Sequence, residues 1–194
     1  KSFLNDKSSV ESDILFFGRI SPYKGLKYLV NAIEIVKKKI PNVRVMIAGG
    51  GNIENDLPKE KVNGNYIIHN SYISNEEIAN YVANTKIVVC PYTVATQSGI
   101  VMTSFAFGKP VIASSVGGFP DVIEDKVTGL LVPPRDVSSL ADAIISLLSD
   151  RKKIDEMSKN IINICNKGNL SWEYIVKDVK KVYDKALKKR KSKV

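Results

Sequence analysis

The chain has 194 residues, 44% of them apolar and 25% charged, the balance of a folded globular domain rather than of a disordered or fibrous chain. At this length roughly 70% of the unfolded surface can be buried, so one core is sustainable without metal or disulfide staples. Lys and Arg number 29 against 20 acids, a net +9, yet residues 177–194 alone carry +7. The body is therefore nearly neutral. The evenly spread positive charge and interleaved aromatics of a nucleic-acid domain are missing, and no nucleic-acid partner is expected.

No apolar run reaches the roughly 18 residues a spanning helix needs, and residues 1–13 read as a polar leader without a signal-peptide core. Cys90 and Cys165 lie among apolar neighbours and read as buried, reduced thiols of a cytoplasmic protein.

Short, β-branched runs at 14–17, 43–48, 66–69, 87–90, 111–113 and 130–132 read as strands, with helical patterns between them. The first helix is expected over 24–40, with Leu26, Leu29, Val30, Ile33 and Val36 on one face and Pro41 as its stop. Alternation of this kind predicts a Rossmann-like, doubly wound α/β fold: a mostly parallel sheet of about six strands with helices on both faces. Three further helices are expected over 137–148, 152–165 and 172–189, with Asp136 and Ser171 as N-caps. The last carries Trp172, Ile175, Val176, Val179, Val182, Tyr183, Ala186 and Leu187 as an apolar stripe opposite its lysines. That pattern describes either a core-packing helix with a solvated basic end or, through the basic tail over 185–194, attraction to an anionic membrane surface.

Ligands of such sheets bind at the carboxyl ends of the strands. After the first strand, Gly18-Arg19-Ile20-Ser21-Pro22-Tyr23-Lys24-Gly25 brings a guanidinium and an ammonium five residues apart to that edge, just before a helix. Backbone donors, the positive helix end, Arg19 as a fork and Lys24 as a point charge suit a phosphate or diphosphate, the plain alternative being two solvated loop cations. After the fourth strand, the hydroxyls of Thr96 and Ser98 and the amides near Ser98 and Gly99 either cap the next helix or hold a second side of the same phosphates. Gly117-Gly118 follows the fifth strand and permits either close backbone approach or a simple loop.

Other candidates are weaker. Gly49-Gly50-Gly51 is not a dinucleotide loop, because the sixth position of that pattern is Glu54. His69, the single histidine, ends a strand without a partner in any triad-like pattern. No Asp-x-Asp occurs; Glu11-Ser12-Asp13 lies in the leader, and Glu124-Asp125 and Asp155-Glu156 read as solvated acids. No metal or other cofactor is expected.

Gly18-Arg19 with Lys24-Gly25, Phe107-Gly108-Lys109-Pro110-Val111-Ile112-Ala113, Val116-Gly117-Gly118-Phe119-Pro120-Asp121-Val122-Ile123 and Thr128-Gly129-Leu130-Leu131-Val132-Pro133-Pro134 occur in one order. Together they resemble the C-terminal, donor-binding half of a family 4 retaining glycosyltransferase of the GT-B fold, over about residues 14–148. The resemblance implies a nucleotide-diphosphate sugar as donor, Arg19 and Lys24 as catalytic groups on its diphosphate, Gly18 and Gly25 as substrate-binding residues of the same loop, and metal-independent transfer. It also implies a partner N-terminal acceptor domain, absent from residues 14–190. The chain is then expected to bind donor weakly by itself and to transfer no sugar.

The family pattern has two glutamates eight residues apart, one for the donor sugar and one for the ribose; the aligned positions are Ala95 and Thr103. The segment Ala95-Thr96-Gln97-Ser98-Gly99 resembles a variant found in some bacterial surface-polysaccharide glycosyltransferases. Thr96 or Gln97 is left to meet the sugar and Thr103 a ribose hydroxyl. The expected function is sugar transfer to a saccharide or lipid-linked acceptor at the inner membrane face. The alternatives are a non-catalytic nucleotide-sugar-binding or assembly module, and a nucleic-acid or membrane-surface module for which the basic tail is the whole case.

Overall fold

The computed structural model describes residues 11–95, 99–168 and 170–191. Six strands, β1 (Ser12–Phe17), β2 (Val45–Ala48), β3 (Tyr66–His69), β4 (Thr85–Cys90), β5 (Val111–Ser114) and β6 (Gly129–Val132), form one sheet in the order β3-β2-β1-β4-β5-β6. Every pairing is parallel. The helices are α1 (Leu26–Val36), α2 (Asn75–Ala83), α3 (Gly99–Ala106), α4 (Phe119–Val122), α5 (Val137–Leu148), α6 (Arg151–Lys167) and α7 (Trp172–Lys191). This is the doubly wound fold that the alternation of patterns predicts.

The strands are apolar on both sides because both sheet faces are covered. Along β1, Ile14 and Phe16 enter one core layer with Leu29 and Ile33 of α1 and Ile144 of α5. Leu15 and Phe17 enter the other with Val82 of α2, Phe105 of α3 and Ile161 of α6. Each of these buried side chains contributes about 1.5–3 kcal/mol, and a slip of one residue would reverse both layers.

Most elements match within one or two residues, and two boundary differences have a visible physical cause. Ser12 and Asp13 belong to β1 rather than to a leader: Ser12 pairs with Thr85, and the Asp13 carboxylate accepts the Arg44 N–H at 2.8 Å and pairs with Lys86 at 2.7 Å. The helix expected over 24–40 is a short 3₁₀ turn at Pro22–Lys24, then Gly25, then α1. Gly25 separates the two because its φ is +72°, and a Cβ there would lie 2.0 Å from the Pro91 carbonyl oxygen. At the far end α1 gives way to a tighter turn over residues 37–40 before Pro41 acts.

The expected caps are present. Asp136 accepts the Ser139 N–H at 2.9 Å and Ser171 the Tyr174 N–H at 3.2 Å; Asp150 does the same for Lys153 at 3.2 Å.

The described side chains of the last helix stay outside the core. Residues 173–183 of α7 are exposed throughout, Val176, Val179, Val182 and Tyr183 of the apolar stripe included. The start of α7 is held through Ser171, whose hydroxyl donates to the Gly168 carbonyl at 2.7 Å. No helix among the described residues is long and apolar enough to cross a membrane.

Candidate functional site

The strand order reverses between β1 and β4, because β1 is extended by β2 on one side and by β4 on the other. The loops leaving their carboxyl ends diverge there and open a crevice, the usual ligand position in such sheets. A cleft of about 600 Å³ occupies it, lined by Gly18, Lys24, Tyr92, Ala95, Gly99 and Thr103 among others.

The loop after β1 is built to turn Lys24 inward. Pro22 starts the turn, the Lys24 N–H donates to the Ser21 carbonyl at 3.0 Å and the Gly25 N–H to that of Pro22 at 3.1 Å. The loop after β4 is tied to it: the Thr93 N–H and hydroxyl both donate to the Tyr23 carbonyl, at 2.8 Å and 3.2 Å. Behind Lys24, Tyr92 meets Tyr23 edge-on at 5.7 Å between ring centroids and Phe119 at 5.2 Å.

The Lys24 side chain is only 7% exposed. Its ammonium lies 5.6 Å from the centroid of the Tyr92 ring and against Gly18, where a Cβ would come within 2.8 Å of Nζ. The Lys24 ammonium makes no hydrogen bond or ion pair among the described residues. Burial lowers its pKa below the ordinary lysine value, the nearby Cys90 sulfur opposing that shift. No carboxylate lines the cleft among the described residues. A buried cation without a counter-charge at the mouth of a sheet is suited to an anion, which restores the solvation it has lost.

Arg19, expected beside Lys24, is exposed and lines an adjoining cavity of about 370 Å³ with Gly49, Gly50 and Tyr72. Gly18 and Ile78 belong to both cavities, so the two cations flank one wall. The loops after β1 and β2 meet there closely. Gly49 has φ +148°, and a Cβ on it would lie 2.1 Å from the Gly18 carbonyl oxygen. The Gly49-Gly50-Gly51 segment is thus both a turn and a cavity wall.

The remaining expectations divide. Gly99 opens α3 at the cleft, and the Thr103 hydroxyl donates to the Gly99 carbonyl at 2.9 Å, leaving its oxygen as an acceptor. Gly25 shapes the loop from behind and lines neither cavity. Thr96, Gln97 and Ser98 lie outside the described residues. Gly117-Gly118 also lines neither cavity; this turn leads into α4, whose Phe119 supports Tyr92.

Lys109 of the Gly108-Lys109-Pro110 motif is far from this mouth, at the amino end of the sheet. Its ammonium donates to the carbonyls of Ala83 and Thr85, each at 2.8 Å. His69 ends β3 as expected, with Nδ1 2.5 Å from the Tyr81 hydroxyl and 3.9 Å from a Glu77 carboxylate oxygen. α2 supplies both, and its own start is a capping box between Ser74 and Glu77. Those hydrogen bonds with Ser74 hold the Glu77 carboxyl below the usual range.

Cys90 is buried, and burial pushes its thiol up to about 12; Cys165 is half-buried rather than buried, and both are free. Asp125, though exposed, accepts the Leu131 N–H at 2.9 Å. Among the described residues no group of three or more metal-ligating side chains converges.

Sequence reasoning missed the aromatic frame of Tyr23, Tyr92 and Tyr72. Tyr92 stands directly after the fourth strand and Tyr72 shortly after the third, positions at the ligand edge of any such sheet. Tyr72 is 88% exposed at the rim of the Arg19 cavity.

The family described as Glycosyl transferases group 1 matches residues 11–150. An uncharacterised glycosyltransferase of Methanocaldococcus jannaschii is 27% identical over 183 residues, covering 91% of this chain and 46% of that protein. The crystal structure of the C-terminal domain of a group 1 family glycosyl transferase from Francisella tularensis superposes with a TM-score of 0.70 at 24% identity, over 79% of this chain and 84% of that one. The Anabaena protein HepE, crystallised with UDP, superposes with a TM-score of 0.72 at 17% identity, over 90% of this chain and 49% of that one. The chain spans about half the length of the curated relative it matches.

Proposed function

Since the chain belongs to the group 1 glycosyl transferases, we propose that it is the nucleotide-sugar donor domain of a family 4 retaining enzyme, the acceptor domain being supplied outside these residues. The observation that carries this is Lys24: a buried ammonium with no counter-charge among the described residues, at the switch point of the sheet, in a cleft without a carboxylate. UDP in the Anabaena neighbour supports a nucleoside diphosphate as the anion.

In glycosyl transfer the bond between sugar C1 and the diphosphate oxygen breaks while the acceptor oxygen bonds to C1 and gives its proton to the departing diphosphate, on which negative charge grows in the transition state. Lys24 and Arg19 stabilise that charge most where it is largest, in the transition state. Two fixed cations offset a charge that other transferases offset with a metal. Thr103, with its proton engaged by Gly99, accepts a hydrogen bond from a ribose hydroxyl. Thr96 or Gln97 meets the sugar, and amides near Ser98 and Gly99 share the phosphates. The acceptor is a saccharide or lipid-linked glycan at the inner membrane face.

Ala95 and Thr103, where the family pattern has carboxylates, favour a second reading: a nucleotide-sugar-binding or assembly module without transfer. Thermal-shift measurements with UDP, GDP, ADP, CMP, UDP-glucose and GDP-mannose test the site common to both. One diphosphate series should stabilise the fold by about 2.7 kcal/mol at a hundredfold excess over Kd, and Arg19→Ala and Lys24→Ala should abolish the shift. No shift with any of them overturns the donor site. Transfer restored by joining the acceptor domain, and lost in Arg19→Ala, decides for the enzyme; transfer by these 194 residues alone would refute the need for that domain.

A further inference from the structure

We infer that Tyr92 is the positioning residue for Lys24: the face of its ring keeps the ammonium charged and aimed at the anion of the cleft. This rests on the proposed reading of that cleft as a nucleotide-sugar site. The Lys24 Nζ lies over the Tyr92 ring, 5.6 Å from its centroid, within the roughly 6 Å over which the negative face of an aromatic ring attracts a cation. Tyr92 is only 3% exposed, so the contact lies beneath the cleft and is made entirely within these residues.

The ring is fixed from several sides. Tyr23 meets it edge-on and Phe119 at an interplanar angle of 61°, and the Pro91 carbonyl just before it packs so closely on Gly25, just after Lys24, that no Cβ fits there. On its other side the ammonium lies against Gly18. It is thus confined between a glycine and a ring face. The titratable groups facing it among the described residues are the Cys90 thiol of β4, Tyr23 of its own turn and Tyr92, with no carboxylate among them. Burial pushes the Cys90 thiol up to about 12, so it stays neutral while Lys24 titrates. Burial also lowers the Lys24 pKa, and the ring opposes that shift because its negative face favours the ammonium over the neutral amine. It does so without taking a proton of the ammonium, whose donors are left to phosphate oxygens. An aliphatic side chain of the same bulk would pack the lysine stem and give the charge no such support.

Changing the charge distribution of the ring while keeping its shape tests this. The 194-residue chain, labelled at the lysine side-chain nitrogens, is titrated by NMR with phenylalanine or trifluorophenylalanine in place of Tyr92, the Lys24 signal being the one lost in Lys24→Met. Tyr92→Phe keeps an electron-rich face and should hold the parent's Lys24 midpoint. Fluorination withdraws that face and should lower the midpoint by about half to one pH unit relative to Tyr92→Phe. The two ring variants, nearly equal in shape, should melt alike. Calorimetric titration with UDP should show the loss of affinity with rising pH displaced downward by the same amount in the fluorinated chain. Equal Lys24 midpoints in the two ring variants overturn the inference and leave Tyr92 a packing residue, whether or not UDP binds. A UDP profile that stays in place while the midpoint moves overturns it as well, since Lys24 would not be the group the anion meets. A midpoint that follows fluorination in a chain that binds no UDP upholds the hold of Tyr92 on the Lys24 charge and overturns the nucleotide reading instead.

Discussion

Two lysines are driven below the ordinary range by the same cause, burial, at opposite ends of one sheet. At the amino end, Lys109 is completed by the carbonyls of Ala83 and Thr85. At the carboxyl end, Lys24 faces an aromatic ring, a glycine and an open cleft. Lost solvation is replaced from within the protein for one and left unreplaced for the other. A buried cation is therefore not a site by itself; it marks one when the fold leaves its charge uncompensated.

The largest way to break this comparison is Lys24→Met. Loss of a charge-assisted contact should weaken nucleotide binding on the order of a hundredfold, measured by titration calorimetry. Its unfolding midpoint should stay level or rise, since a burial cost disappears. A fall in both would make Lys24 structural, like Lys109.

Lys109→Met should show the opposite pattern. Two carbonyls lose their donor, so unfolding in urea should come about 1.5–3 kcal/mol earlier, while the folded fraction binds nucleotide as the parent does.

A pH series sharpens the contrast. Lys24 has a lower pKa folded than unfolded, where 10.5 is ordinary. Between those values the unfolded chain holds more protons, so this group's contribution to stability rises with pH and its burial cost is fully present below the folded value. Nucleotide binding should run the other way, weakening as pH climbs through the lowered pKa and the ammonium becomes neutral. Calorimetry from about pH 7 to about pH 10 would check it. Affinity that is flat across that window would remove Lys24 from the anion contact.

The smallest effect is expected away from both lysines. The Tyr66 hydroxyl is buried without a hydrogen-bond partner among the described residues, and burial together with Glu34 raises its pKa. Tyr66→Phe should leave stability unchanged or raise it by up to about 1 kcal/mol in urea unfolding, and a loss would reveal a partner for the hydroxyl.

Much of the fold is legible in the residues because strand signals here are continuous apolar runs and caps are local. β3 lies at 66–69 and α5 at 137–148 as expected, and Asp136 closes its own helix. The division at Gly25 was not legible, since its φ of +72° and the close approach of the Pro91 carbonyl, 66 residues away, arise only in the folded chain. The loop chemistry at Gly18, Arg19 and Lys24 was legible too, but not its partition. Only the approach of Gly49 to Gly18 sets Arg19 and Lys24 on two sides of a wall. The aromatic frame and the clasp on Lys109 join residues from different strands, which no local pattern carries.

By itself the sequence determined the alternation of strand and helix, hence a parallel doubly wound sheet, and the cationic, acid-free loops at its ligand edge. Those properties depend on residue type at short spacing. The tertiary structure decided which lysine is clasped and which is left open, and that residues 173–183 of α7 stay outside the core. Burial and pairing are relations between distant segments, and they exist only once the chain has closed on itself.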